Sequence, residues 1–159
     1  MKNNGYILLL VLFLFSCGGN LSEEQRKRLK DGMKQQEIRK LSDAQITEAA
    51  FALGRKITTQ LGARLSNRPF VDSLASAYQV QIIKLQTNDS LALAVERRII
   101  EAYTSGGDPN TLTDNIQKVG SDTLVYTKPI MRTLPDGASQ FSHVIAIRMP
   151  KKQVVLSIE

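Results

Sequence analysis

Residues able to carry catalysis are scarce in this sequence. It holds one cysteine, Cys17, and one histidine, His143, among 159 residues. A single thiol cannot close an internal disulfide; in an exported chain it is left free or paired with another molecule. No Cys-x-x-Cys, His-x-x-x-His or His-Glu-x-x-His pair is present to hold a metal. A serine–histidine–carboxylate triad would have to use His143, whose place in an alternating strand pattern predicts a structural or solvent-facing role. Gly106-Gly107 lacks the spacing of a phosphate loop and reads as a turn. Glu96 and Glu101 are five positions apart on a predicted helix and share a face poorly, and Arg97 and Arg98 beside them predict a solvated surface. No catalytic, cofactor-binding or metal-binding residue is nominated, and the chain is not expected to be an enzyme.

What precedes Cys17 gives it a purpose. Lys2 is the only charge before an apolar run at residues 6–15. A membrane-spanning helix needs roughly 20 residues, whereas the apolar part of a signal peptide needs about 7–15. Leu14-Phe15-Ser16-Cys17-Gly18-Gly19 then resembles the lipobox of bacterial lipoproteins, although Phe15 stands where a small residue is usual. The resemblance implies cleavage before Cys17 and acylation of its sulfur. Several acyl chains on one cysteine hold a membrane more firmly than the marginal grip of one. The expectation is a signal peptide at 1–16 and an anchor at Cys17. Gly18 is not the aspartate that retains some lipoproteins at the inner membrane, so the outer membrane of a Gram-negative envelope is expected.

The net charge of the full chain is +6. Its early basic residues, Arg26, Lys27, Arg28, Lys30, Lys34, Arg39 and Lys40, alternate with Glu23, Glu24, Asp31 and Glu37. The stretch has no aromatic residue to stack on bases, and an exported chain rarely meets nucleic acid, so no nucleic-acid partner is expected. It reads as a charged spacer over 17–41, solvated or touching anionic lipid head groups.

The elements beyond the spacer must position whatever the protein uses. Ser22-Glu23-Glu24-Gln25 and Ser42-Asp43-Ala44-Gln45 both have the form of a helix-starting capping box. After the second box, Ile46, Ala49, Ala50, Leu53, Ile57 and Leu61 form one apolar helical stripe, with Gly62 as its stop. Asn67-Arg68-Pro69 predicts a further helix start, with Phe70, Leu74, Ala77 and Tyr78 on its face. Residues 79–86 alternate as a strand, with Val80, Ile82 and Lys84 facing one way and Gln81, Ile83 and Leu85 the other. Leu91, Val95, Ile99 and Tyr103 predict another helix, ended by Gly106-Gly107-Asp108-Pro109. Strands follow at 115–119, 123–131 and 141–149, separated by turns at Gly120-Ser121-Asp122 and Leu134-Pro135-Asp136-Gly137. Pro150 suits the first turn of a terminal helix. Helices followed by an antiparallel sheet make an α+β domain at 42–159.

Four segments, in order, are similar to a bacterial periplasmic family, the PAS-like c-type haem domain. They are Tyr78-Gln79-Val80-Gln81-Ile82-Ile83-Lys84, Glu96-Arg97-Arg98-Ile99-Ile100-Glu101-Ala102-Tyr103, Leu124-Val125-Tyr126-Thr127-Lys128-Pro129-Ile130 and Ile145-Ala146-Ile147-Arg148-Met149-Pro150-Lys151-Lys152-Gln153-Val154. The resemblance covers about two-thirds of the chain and implies a small PAS-like antiparallel sheet with a terminal helix. The family attaches haem through Cys-x-x-Cys-His between the last two of these segments. Here that interval, 131–140, has neither cysteine nor histidine, and covalent attachment needs both thiols. The resemblance therefore implies a haem-less member, without cofactor. A pocket on its sheet would use Tyr126 and Lys128, and its partner would be a small ligand. A structural or protein-binding lipoprotein of the envelope is the other reading.

Overall fold

The computed structural model describes residues 22–35, 41–105 and 111–158. Cys17 and the predicted signal lie outside them, as does the predicted stop at Gly106-Gly107-Asp108-Pro109. The chain divides into two units, Met1–Lys40 and Leu41–Glu159.

In the first unit, α1 spans Glu23–Gln35. Its start is the predicted capping box: the Gln25 amide donates to Ser22 Oγ, and the Ser22 amide donates to Gln25 Oε1 at 3.0 Å. Side chains from Ser22 to Asp31 are exposed, in keeping with their polarity. Among the described residues, no helix is long and apolar enough to cross a membrane.

The second unit is α+β. Helix α2 (Asp43–Leu61) opens with the reciprocal Ser42–Gln45 box and ends at Gly62, whose φ of +51° favours glycine. Helix α3 (Arg68–Tyr78) carries Pro69 in its first turn, and Asn67 Oδ1 accepts from the Phe70 amide at 3.2 Å. Strand β1 (Gln81–Leu85), α4 (Ala94–Thr104), β2 (Asn115–Val119), β3 (Thr123–Thr133), β4 (Ser139–Pro150) and α5 (Lys151–Leu156) follow. The sheet is antiparallel throughout, in the order β1-β4-β3-β2. Strands β3 and β4 run on past their outer neighbours, so 130–133 and 139–143 pair only with each other in a two-stranded ribbon. The Leu134–Gly137 turn closes that ribbon, with the Gly137 amide donating to Leu134 O at 2.9 Å.

Two cores follow from strand alternation. Ile82, Leu124, Tyr126, Ile145, Ile147 and Met149 face the stripe of α2, with Val71 and Leu74 of α3 and Val154 of α5. Leu85, Val144 and Ala146 face the opposite way, against Ala92 and Ile100. Two helix faces differ from expectation. In α3, Val71 is buried and Ala77 exposed, because contact falls on Val71 and Leu74 while Tyr78 sits at the margin. In α4, the inward positions are Glu96 and Ile100, while Val95 and Ile99 are only half-buried and Leu91 is exposed. Glu96 is therefore not on a solvated surface: it is fully buried.

Candidate functional site

The first site is assembled around Tyr126, at the middle of β3. Its ring is buried against α2, where Gly54 leaves the space for it. A Cβ at position 54 would fall inside the van der Waals envelope of the Tyr126 ring. Glycine inside a helix costs about 1 kcal/mol relative to alanine, and here it permits close approach of helix and sheet. Phe51, one turn earlier on α2, meets the Tyr126 ring edge-on at 6.4 Å between centroids.

The Tyr126 hydroxyl donates to Asp114 Oδ2 at 3.0 Å. Asp114 lies just before β2 and receives two further bonds from Arg55 of α2. Nε donates to Oδ2 at 2.6 Å and Nη2 to Oδ1 at 3.0 Å, a side-on bidentate pair. The guanidinium also lies 5.1 Å from the centroid of the Phe51 ring, an attractive arrangement of cation over π-face. The segment before β2 is fixed from its other side by Tyr103, whose hydroxyl donates to Thr113 O at 2.9 Å.

Protonation follows from this geometry. The bonds from Arg55 hold the Asp114 carboxyl below the usual carboxylate range, against the opposing effect of burial. Burial pushes the Tyr126 hydroxyl up to about 12, and the nearby Asp114 charge adds to the rise. Tyr126 therefore keeps its proton through neutral pH and acts as a donor to Asp114.

Beside this cluster opens a cleft of about 410 Å³, lined by Arg55, Thr58, Thr59, Leu112, Thr113, Asp114, Tyr126, Lys128 and Pro129. Tyr126 and Lys128, nominated from the sequence, do share it. Tyr126 is buried, with its hydroxyl bonded to Asp114, and Lys128 is exposed. Sequence reasoning missed Arg55 and Asp114. The available signal was Gly54, a glycine in the middle of the α2 apolar stripe.

A second arginine–carboxylate cluster lies on the opposite face of the sheet. Arg148 of β4 donates from Nε to Glu96 Oε1 at 2.8 Å and from Nη2 to Glu96 Oε2 at 2.7 Å. Its Nη2 also donates to Leu91 O at 2.8 Å, and the Leu93 amide donates to Glu96 Oε2 at 2.7 Å. Glu96 and Arg148 belong to two of the segments that carry the family resemblance, and here they join α4 to the sheet. Arg148 also borders a shallow cavity of about 450 Å³ with Gln79, Gln81 and Leu93. A third cavity, about 120 Å³, lies under the start of α2 beside Ile46, Ile116 and Leu124. It is well below the several hundred cubic ångströms typical of small-molecule sites.

His143 lies on the β3–β4 ribbon opposite Ile130, with Nδ1 3.0 Å from Ser142 Oγ. Burial, aided by the charge of Lys84, lowers its pKa. It joins neither arginine–carboxylate cluster. Among the described residues, no group of three or more histidine, cysteine or acidic side chains is placed to hold a metal. No known protein family, curated protein or solved structure matches this chain.

Proposed function

We propose that this chain is a lipoprotein, anchored through acylated Cys17, whose folded unit is a haem-less PAS-like domain that binds a small ligand without transforming it. The observation that carries the binding reading is the cleft at Arg55, Asp114 and Lys128. Three separate parts of the fold converge there: α2, the segment before β2, and β3. A concave site with a few fixed polar groups among apolar walls is the usual form of a small-molecule site. The anchor reading rests on the apolar run and on Ser16-Cys17-Gly18. The anchored chain would then stand in the envelope of a Gram-negative bacterium, at its outer membrane.

Two measurements test the two halves. Growth with labelled palmitate should mark the full chain and leave Cys17→Ser unmarked; label on both, or on neither, would overturn the anchor. A panel of small metabolites should raise the melting temperature of the detergent-solubilised full chain, and Asp114→Asn should abolish the rise. A panel without a single shift would overturn the binding reading.

A further inference from the structure

We propose that the cleft beside Arg55 is a receptor for a small anion, a carboxylate or phosphate group gripped by the free end-on edge of the Arg55 guanidinium. This rests on the binding reading above and names the class of ligand.

The hydrogen-bonding capacity of Arg55 is only partly spent. A guanidinium has five N–H donors and two edges suited to bidentate contact: side-on through Nε and one Nη, and end-on through both Nη atoms. Asp114 occupies the side-on edge of Arg55, using one Nε and one Nη2 hydrogen. Among the described residues, both Nη1 hydrogens and the second Nη2 hydrogen remain, so the end-on edge is complete. The Arg55 side chain is 62% exposed, and it lines the cleft. That edge is therefore open to a ligand.

The carboxylate in the cleft does not compete for this role. Asp114 already accepts two bonds from Arg55 and one from Tyr126. Its charge is matched by the arginine it orients, so the Arg55–Asp114 pair is neutral as a unit. Lys128 adds an exposed ammonium with three donors to the same wall. With three of the roughly four acceptor sites on Asp114 spent, the unspent polar capacity of these charged groups is mainly donor, and their net charge is positive. Such a wall selects a ligand rich in acceptors and negatively charged.

Preorganisation favours the same edge. Asp114 fixes the plane of the guanidinium, and Phe51 lies 5.1 Å from its centre. A ligand therefore meets a group that has already lost much of its rotational freedom, which lowers the entropic cost of binding. Arg148, beside the cavity with Gln79 and Gln81, lacks this edge. Arg148 spends both Nη2 hydrogens, on Glu96 and on Leu91 O.

Calorimetry on the detergent-solubilised full chain at low ionic strength tests this directly. Succinate and inorganic phosphate serve as probes of the two anion sources, with succinamide as the neutral match of succinate. At least one anion should bind saturably while succinamide gives no saturable heat. Added salt should weaken the binding. Arg55→Lys keeps the charge and loses the planar edge, and should weaken binding by about ten-fold or more. Lys128→Gln should weaken it by about three-fold, through loss of one screened charge. Equal binding of succinamide and succinate, or unchanged affinity in a folded Arg55→Lys protein, would overturn the proposal. If neither anion binds but a neutral metabolite from the panel does, the anion assignment fails and the binding reading stands. If nothing binds, both fail.

Discussion

Two arginine–carboxylate pairs, on opposite faces of one sheet, use the same side-on bidentate bond in different settings. In the Glu96–Arg148 pair the acid is fully buried and the arginine side chain only 18% exposed. The donors that satisfy the acid come from within the fold, including the Leu93 amide. In the Arg55–Asp114 pair the arginine is 62% exposed and the acid 15%, and one guanidinium edge is left over. The first pair closes a core. The second holds a charged group in place at a surface. Burial and the fate of the second Nη2 hydrogen separate the two roles, not the bond between the charges.

The largest effect should follow from cutting the buried pair. Arg148→Met leaves Glu96 buried without its partner, and should destabilise the domain by about 3–5 kcal/mol in urea unfolding. Glu96→Leu in the same chain should recover much of that loss, since an apolar pair can replace a buried ionic one. A single-variant loss below about 1 kcal/mol would place the pair among ordinary surface salt bridges.

At the cleft, substitutions at Gly54 and Tyr126 should have comparable effects. Gly54→Ala drives a methyl group into the Tyr126 ring and should cost about 1–3 kcal/mol by overpacking, less a gain in helix propensity of about 1 kcal/mol. It should also weaken ligand binding, because Tyr126 would be pushed from Asp114. Tyr126→Phe leaves the ring in place and acts through the hydroxyl alone. It removes one hydrogen bond to a charged group and should cost about 1.5–3 kcal/mol at most, read by the same unfolding measurement.

The smallest expected effect is electrostatic and depends on pH. The folded-state pKa of Asp114 lies below its ordinary value. Its stabilising contribution is therefore complete above the unfolded carboxylate pKa, near 4, and fades as pH falls through the folded value. The stability difference between the unaltered chain and Asp114→Asn should be constant from about pH 7 to 5 and shrink below about pH 4. A difference that grew on acidification would contradict the assignment.

The fold was more legible in the sequence than the site, and the reason is range. The capping boxes at Ser22 and Ser42, the stripe from Ile46 to Leu61 and the turn at Leu134–Gly137 depend on residues a few positions apart, and each formed as read. The inward face of α4 did not. Leu91, Val95, Ile99 and Tyr103 and the set Ala92, Glu96, Ile100 and Tyr103 are both helical stripes, and hydrophobicity favours the first. The second faces the sheet, with Arg148, 52 positions away, receiving Glu96. Likewise Arg55 and Asp114 are 59 positions apart, and neither stands out among its neighbours. Tyr126 and Lys128 were identified because they lie on a strand whose sequence carried a resemblance, while the partner that orients Tyr126 could only appear once the chain was folded.

The most direct measurement follows the two arginines together. In nitrogen–proton correlation spectra of the isotope-labelled full chain, the side-chain signals of Arg55 and Arg148 can be titrated with succinate and with phosphate. The expected result is a saturable shift of the Arg55 signal with at least one anion, at the affinity seen by calorimetry, while the Arg148 signal stays fixed. A stationary Arg55 signal at saturating anion, or a shift at Arg148 in its place, would contradict the distinction between the open pair and the closed one.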